Sequence, residues 1–330
     1  TESLPLPVRG KQTKNFNFAK LINSKSSNTL SHYRLTLEFT SNPAWYAVQA
    51  LPYLMEFPHE CSEQVFSRFY ANSLASHIVN SSPKIQAVFD KWKNSDALLS
   101  NLQKNEELKS VVLQETPWLL NGRNEEQNKK RVALLFDLNR MSRELDRAFS
   151  KLRQMQGANG GWPWFTGLPE SWYITQHILA GLAKLNALGV VSASKDNISA
   201  MTSKAVAFID GEMKRDYDYL IRHKINLKQK NIGHIQYHYL YTRSFFRDQE
   251  IPKSCREAFN YWKGQAAKYW PQEGPYAKGL AAIALHRFGV VKTAREIIES
   301  LRENAIYNEE MGMYWKENVG GYWWYQAPLE

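Results

Sequence analysis

Cysteine is almost missing from this chain: two thiols, Cys61 and Cys255, in 330 residues. So few, so far apart, exclude the disulfide scaffold that holds small secreted domains together. Long apolar runs are missing too, since none approaches the roughly 18 residues of a membrane-spanning helix. The N-terminus lacks the basic-then-apolar layout of a signal peptide. The expectation is a soluble piece cut from something larger, without membrane insertion of its own. The formal net charge is +10, but no long block of one sign carries it. Basic and acidic residues alternate, as in Arg143-Glu144-Leu145-Asp146-Arg147, which argues against a nucleic-acid interface. Lys129-Lys130-Arg131 and the lysines between 224 and 230 read as solvated helix surface. The acid cluster of an isoprenoid cyclase is also absent, Asp216-Tyr217-Asp218 being the closest approach to Asp-x-Asp-Asp. His234 and His238 stand one helical turn apart, but the Glu of His-Glu-x-x-His and a third ligand are missing, so neither metal nor cofactor is expected.

What is present is helical periodicity and aromatic bulk. Trp, Tyr and Phe make up 13% of the chain, enough to fill a broad helical interior. The pattern predicts helices over Ala44–Met55, Gln64–Val79, Lys84–Lys104, Glu106–Gln114, Glu125–Gln156, Glu170–Leu188, Asn197–His223, Ile232–Phe246, Lys253–Lys268, Pro275–Phe288 and Thr293–Asn304. Ahead of them, Tyr33, Leu35, Leu37 and Phe39 alternate with polar residues as in a half-buried strand. Residues 1–42 are read as a β-rich lead-in and 43–330 as one mainly α domain. Near the end, Met313-Tyr314-Trp315, Gly320-Gly321 and Tyr322-Trp323-Trp324-Tyr325 suggest a hairpin or aromatic loop.

A loose repeat runs through the helical part. Leu152–Gly189 and Ala266–Gly289 each carry a helix, a glycine-containing aromatic turn and a second helix closing on glycine. Helix pairs that cannot bury their faces alone stack into closed or curved arrays, and an α/α toroid is the natural solution. Within the first copy, Gln156-Gly157-Ala158-Asn159-Gly160-Gly161-Trp162 matches Gln-x-x-x-Gly-x-Trp, which resembles the repeat motif of terpene cyclases and turns of toroidal polysaccharide lyases. The motif reads as architecture more than chemistry.

Cys61-Ser62-Glu63-Gln64 carries the chemistry. A thiol and a carboxamide three residues apart at the start of a helix share one face. If the thiolate attacks the glutamine carbonyl and ammonia leaves, an intramolecular thioester results. His59, two residues before the thiol, is a candidate to assist deprotonation. Together with its flanks, from Pro43 through Pro58 to the helix beginning at the motif, this stretch resembles the thioester-containing domain of the α2-macroglobulin and complement family in its bacterial branch. The Cys-x-Glu-Gln pattern carries over onto Cys61, Glu63 and Gln64. Glu60 and Ser62 stand where the best-known animal members have glycine.

The resemblance implies an α/α toroid set beside a β-sandwich module, in a protein of the bacterial periplasm or cell envelope that serves in host defence. It implies an endopeptidase inhibitor that traps its target covalently through the lysine amines of the attacking protease. Such a protein reacts stoichiometrically and is not an enzyme in the turnover sense. Its other partners are the remaining domains of the same full-length protein. Tyr322, Trp323, Trp324 and Tyr325 are the candidates for shielding the bond from water, with Tyr53, Phe57, Phe66 and Tyr70 nearer the motif. The competing readings are a toroidal enzyme acting on glycans or isoprenoids and an interaction module in which Cys61 is inert.

Overall fold

The computed structural model describes residues 13, 15, 17–23, 28–29, 60–81, 138–190, 195–308 and 312–315. These are mainly helical, with two short antiparallel strand pairs among them. The chain divides into two compact units, Asn42–Gly264 and a second formed by Thr1–Ser41 with Gln265–Glu330. The division falls inside the stretch 43–330 that the sequence pattern treats as one domain.

The larger unit contains α2 (Ser62–Ser81), α3 (Leu138–Met155), β1 (Trp162–Pro163), β2 (Glu170–Ser171), α4 (Trp172–Ala187), α5 (Lys195–Arg222) and α6 (His234–Arg243), with α7 (Arg256–Tyr269) beginning near its end. Helix α2 packs on α3 and α4, and α4 packs in turn on α5 and α6. The helix α2 buries residues on several sides, Val65, Phe66 and Phe69 together with Ala71, Asn72, Ser73 and Ala75. Its buried polar groups turn back on the helix: Ser73 Oγ donates to Phe69 O and Asn72 Nδ2 to Arg68 O, both at 2.8 Å. By contrast, from residue 143 onward α3 buries Ala148, Leu152 and Met155 and leaves charged residues such as Arg143, Asp146 and Arg147 exposed.

The turn after α3 is built by the Gln156–Trp162 segment. Gly160 has φ +94°, and a Cβ there would lie 2.3 Å from the carbonyl oxygen of Lys204, so only glycine fits. Gln156 Nε2 donates to Gly160 O and across to Met201 O of α5, each at 2.9 Å. Trp162 is fully buried. Its indole N–H donates to Leu152 O and its backbone N–H to Thr175 Oγ1, both at 2.8 Å. The segment is thus a junction that fastens α3, α4 and α5, in keeping with its architectural reading.

A buried ion pair sits behind this junction. Arg243 Nε donates to Asp210 Oδ1 at 3.0 Å with both side chains at most 2% exposed. Tyr239 O–H donates to the same carboxylate at 2.7 Å. The Arg243 guanidinium also reaches Phe246 O and, at 2.7 Å, Gln249 O, which fixes the turn leaving α6. Burial raises the Asp210 carboxyl above its ordinary value despite the opposing pull of Arg243.

The second unit holds the one-turn helix α1 (Ala19–Asn23), the antiparallel pair α8 (Pro275–Arg287) and α9 (Val291–Glu303), and the hairpin of β3 (Ile306–Asn308) with β4 (Gly312–Tyr314). This hairpin precedes most of the stretch where the sequence suggests one, Gly320 to Tyr325 lying outside the described residues, and Trp315 Nε1 just after it donates to Leu301 O of α9 at 2.8 Å. The two repeat copies end alike. Gly189 (φ +69°) follows α4 with Val190 N–H bonded to Leu185 O, and Gly289 (φ +81°) follows α8 with Val290 N–H bonded to Leu285 O. The expected strand at 32–40 and the helices expected over 44–55, 84–104 and 106–114 lie outside the described residues.

Removing one partner of a buried ion pair leaves the other charge uncompensated. Asp210→Ala is therefore expected to lower unfolding free energy by about 3–5 kcal/mol, measured by urea denaturation of the full chain. A loss below about 1 kcal/mol would show that Arg243 finds other compensation.

Candidate functional site

Cys61 caps the N-terminus of α2. Its carbonyl accepts the first intrahelical bond, from Val65 N–H at 3.0 Å, and its thiol is buried with the residue 5% exposed. Three contacts hold this end of the helix. Ser62 N–H donates to Trp164 O in the β1–β2 connection at 2.9 Å. Ser62 Oγ points at Met155 Sδ of α3 at 3.9 Å. Lys151 of α3 pairs with Glu60 at 3.1 Å on the surface. Ser62 itself is fully buried, and Glu60 takes part in the surface pair.

One turn along, Gln64 is half-buried, and its Oε1 is enclosed with no hydrogen-bond partner. Glu63 lies beside it and accepts from Ser67 Oγ at 2.8 Å. Cys61 and Cys255 are both buried and neither forms a disulfide. Burial raises the Cys255 thiol above its ordinary value.

An aromatic and imidazole column runs alongside. Trp164 stacks on Tyr173 (centroids 6.1 Å, 17° between planes), and Tyr173 stacks on His177 (6.3 Å, 20°). The His177 ring meets Phe66 of α2 edge-on at 5.8 Å. The Phe66 ring fits because Gly181 has no side chain, a Cβ there falling 2.2 Å from the ring. From α6, His238 approaches Tyr173 at 5.8 Å, with His234 at 6.1 Å from it.

Both central histidines are held below the ordinary imidazole value of 6.5. For His177 burial is the main cause, opposed by the nearby Glu63 carboxylate and aided by Lys184. For His238, only 6% exposed, burial again dominates, followed by His177, His234 and Lys184, and the shift is larger. His238 Nδ1 is buried without a hydrogen-bond partner, an arrangement that costs about 1–3 kcal/mol. The Lys184 amine, lying 5.7 Å from the Tyr241 ring centroid, is itself lowered by partial burial. At neutral pH the imidazoles are therefore neutral and able to accept a proton.

The sequence pattern singles out Cys61, Glu63 and Gln64, and the structure sets all three on the first turn of α2 or its cap. His59, Tyr53, Phe57 and Tyr322–Tyr325 lie outside the described residues. The rings of Phe66 and Tyr70, farther along α2, lie 5.9 Å apart. The sequence gives His177 no distinguishing motif, and His238 stands out only as half of a possible metal pair with His234. Both come to the column by long-range packing of α4 and α6, which leaves no local signal in the sequence. Among the described residues no group of three or more His, Cys, Asp and Glu side chains is arranged to hold a metal ion. Asp216 accepts from Gln236 at 2.5 Å and Asp218 pairs with Lys214, so the nearest approach to an acid cluster is committed elsewhere.

Compared with models of known protein families and with curated proteins, the chain finds no match.

The depressed imidazoles set the sign of one pH effect. The unfolded chain takes up protons at these histidines more readily than the folded one, so their contribution to stability is complete above 6.5 and is lost as pH falls below it. Unfolding free energy followed by urea titration at stepped pH is expected to drop from about pH 6.5 towards 5. In His238→Leu the drop is expected to be smaller. Equal slopes in the two proteins would show that His238 titrates as it does in the unfolded chain.

Proposed function

We propose that this chain is the thioester-bearing domain of a bacterial α2-macroglobulin-like protease inhibitor, an α/α toroid that traps proteases covalently through Cys61 and Gln64. The carrying observation is the buried thiol capping α2 with the Gln64 carboxamide one turn on, its oxygen enclosed and unbonded. An amide oxygen without a donor loses its hydration, at a cost of about 1–3 kcal/mol. A thioester carbonyl is a weaker acceptor, so closing the ring relieves part of that cost.

The chemistry follows from the groups present. The Cys61 sulfur adds to the Gln64 carboxamide carbon, the C–N bond breaks, and the nitrogen takes up the thiol's proton and leaves as ammonia. The acyl group then survives only while nucleophiles are kept away, which suits a thiol in apolar surroundings. On exposure, an amine of the target protease attacks the acyl carbon and Cys61 departs as thiolate, leaving an amide between target and Gln64. The neutral His177 imidazole, on the neighbouring helix beside Phe66 and Glu63, accepts the proton that the nucleophile releases. The event happens once per molecule. The reading extends to a periplasmic or envelope location, to other domains of the full-length protein as partners, and to defence against foreign proteases. The architecture of the Gln156–Trp162 turn and the matched ends of the two helix repeats support the toroid.

Incorporation of a fluorescent primary amine tests this reading. Peptide mapping is expected to find the label on Gln64 in the unmodified chain and nowhere in Cys61→Ala, with far-ultraviolet circular dichroism equal in both. Label at Gln64 in the alanine variant, or none in either protein, would overturn it.

A further inference from the structure

His238 belongs to a different helix from the motif, yet it is the least explicable polar residue of the column. The side chain is 6% exposed and its Nδ1 has no hydrogen-bond partner. The Tyr173 ring lies at 5.8 Å and the His234 ring, one turn back on the same helix, at 6.1 Å. An apolar side chain would fill the same space without an orphaned nitrogen. A buried, unpaired acceptor is therefore expected to find its partner in another protonation state of its surroundings. The group that supplies such a state is His177, which shares the Tyr173 ring with His238, Tyr173 touching His177 on one side at 6.3 Å.

We propose that His238 is a positioning residue for His177, accepting a hydrogen bond from the His177 imidazolium during acyl transfer and releasing it when that proton moves on. The inference rests on the thioester reading above and adds a residue to it. A hydroxyl or amine X–H attacks the acyl carbon derived from Gln64, the X–C bond forms, and the C–Sγ bond to Cys61 breaks. The proton of X–H passes to one ring nitrogen of His177. The other ring N–H of the resulting cation is directed to His238, whose neutral imidazole shares the charge. The proton then returns from His177 to the Cys61 thiolate. The products are an ester or amide at position 64 and a neutral thiol, with both imidazoles neutral again.

The electrostatic surroundings favour a single shared proton over two. From α2 the column meets Glu63 and Tyr70, from α4 Tyr173 and Lys184, and from α6 His234 and Tyr241. Glu63 favours the cation on His177, while Lys184 disfavours charge on both histidines. A proton on His177 opposes a second on His238.

The test compares the full chain with His238→Phe and His238→Asn, the second keeping a polar group near the position of Nδ1. The readout is thiol release at Cys61 in excess glycerol, a hydroxyl probe that needs its proton removed, followed against pH. The expected result is a loss of about tenfold or more in the phenylalanine variant. Its acid limb should also shift to a different pH, and the asparagine variant should recover most of the rate. Histidine side-chain NMR of the same proteins is expected to show His177 titrating at a changed pH in His238→Phe. If His238→Phe folds poorly, as judged by its thermal transition, His238→Met serves the same comparison. A live thioester whose rate and pH profile are the same in all variants overturns this inference alone. A parent chain in which glycerol and amines release no thiol overturns the thioester reading and the inference with it.

Discussion

The indole of Trp162 is the fixed point of the larger unit. Its N–H is tied to Leu152 O, its main chain to Thr175 Oγ1, and the residue is wholly buried. A group that large with both polar atoms satisfied cannot shift without breaking two hydrogen bonds and opening a cavity, so the ends of α3 and α4 are set against each other. Two residues on, Trp164 O receives Ser62 N–H. The start of α2, and with it Cys61, is thereby referenced to the same turn. The geometry of the motif depends on a residue a hundred positions away.

That arrangement places polar groups where apolar ones would be cheaper. Gln64 Oε1 and His238 Nδ1 are enclosed without partners, and His177 is kept neutral by its surroundings. A core optimised for stability alone would have no reason to retain them. The buried Asp210–Arg243 pair is different in kind, because Tyr239 donates to the carboxylate and the guanidinium donates to Phe246 O and Gln249 O. It holds a turn. Gln64 lies one turn from Cys61, and His238 shares the Tyr173 ring with His177; for these two the proposed chemistry supplies an explanation.

Much of the helical framework is legible in the sequence because it rests on local signals. The helix expected over 170–188 runs from Trp172 to Ala187 behind the Ser171 cap, and that expected over 275–288 runs from Pro275 to Arg287. The Gln156–Trp162 turn and the closing glycines Gly189 and Gly289 are likewise written in residue type. Lys224 is a counter-example: it takes φ 53° after α5 and closes the helix as the glycines do, but a lysine gives no such warning. Cys61 and Gln64 could be paired from spacing alone. His177 and His238 could not, since α4 and α6 bring them together only through tertiary packing, and a histidine on a helix face carries no mark of what it will touch.

An acyl bond between Cys61 and Gln64 is read out by the intact mass of freshly purified protein before and after methylamine, with titration of the Cys61 thiol. With the bond closed, the mass is expected to be short of the sequence mass by one ammonia. Methylamine should add its own mass and expose one thiol at Cys61. A mass equal to that of the sequence, unchanged by methylamine and with the Cys61 thiol titratable from the outset, would contradict it.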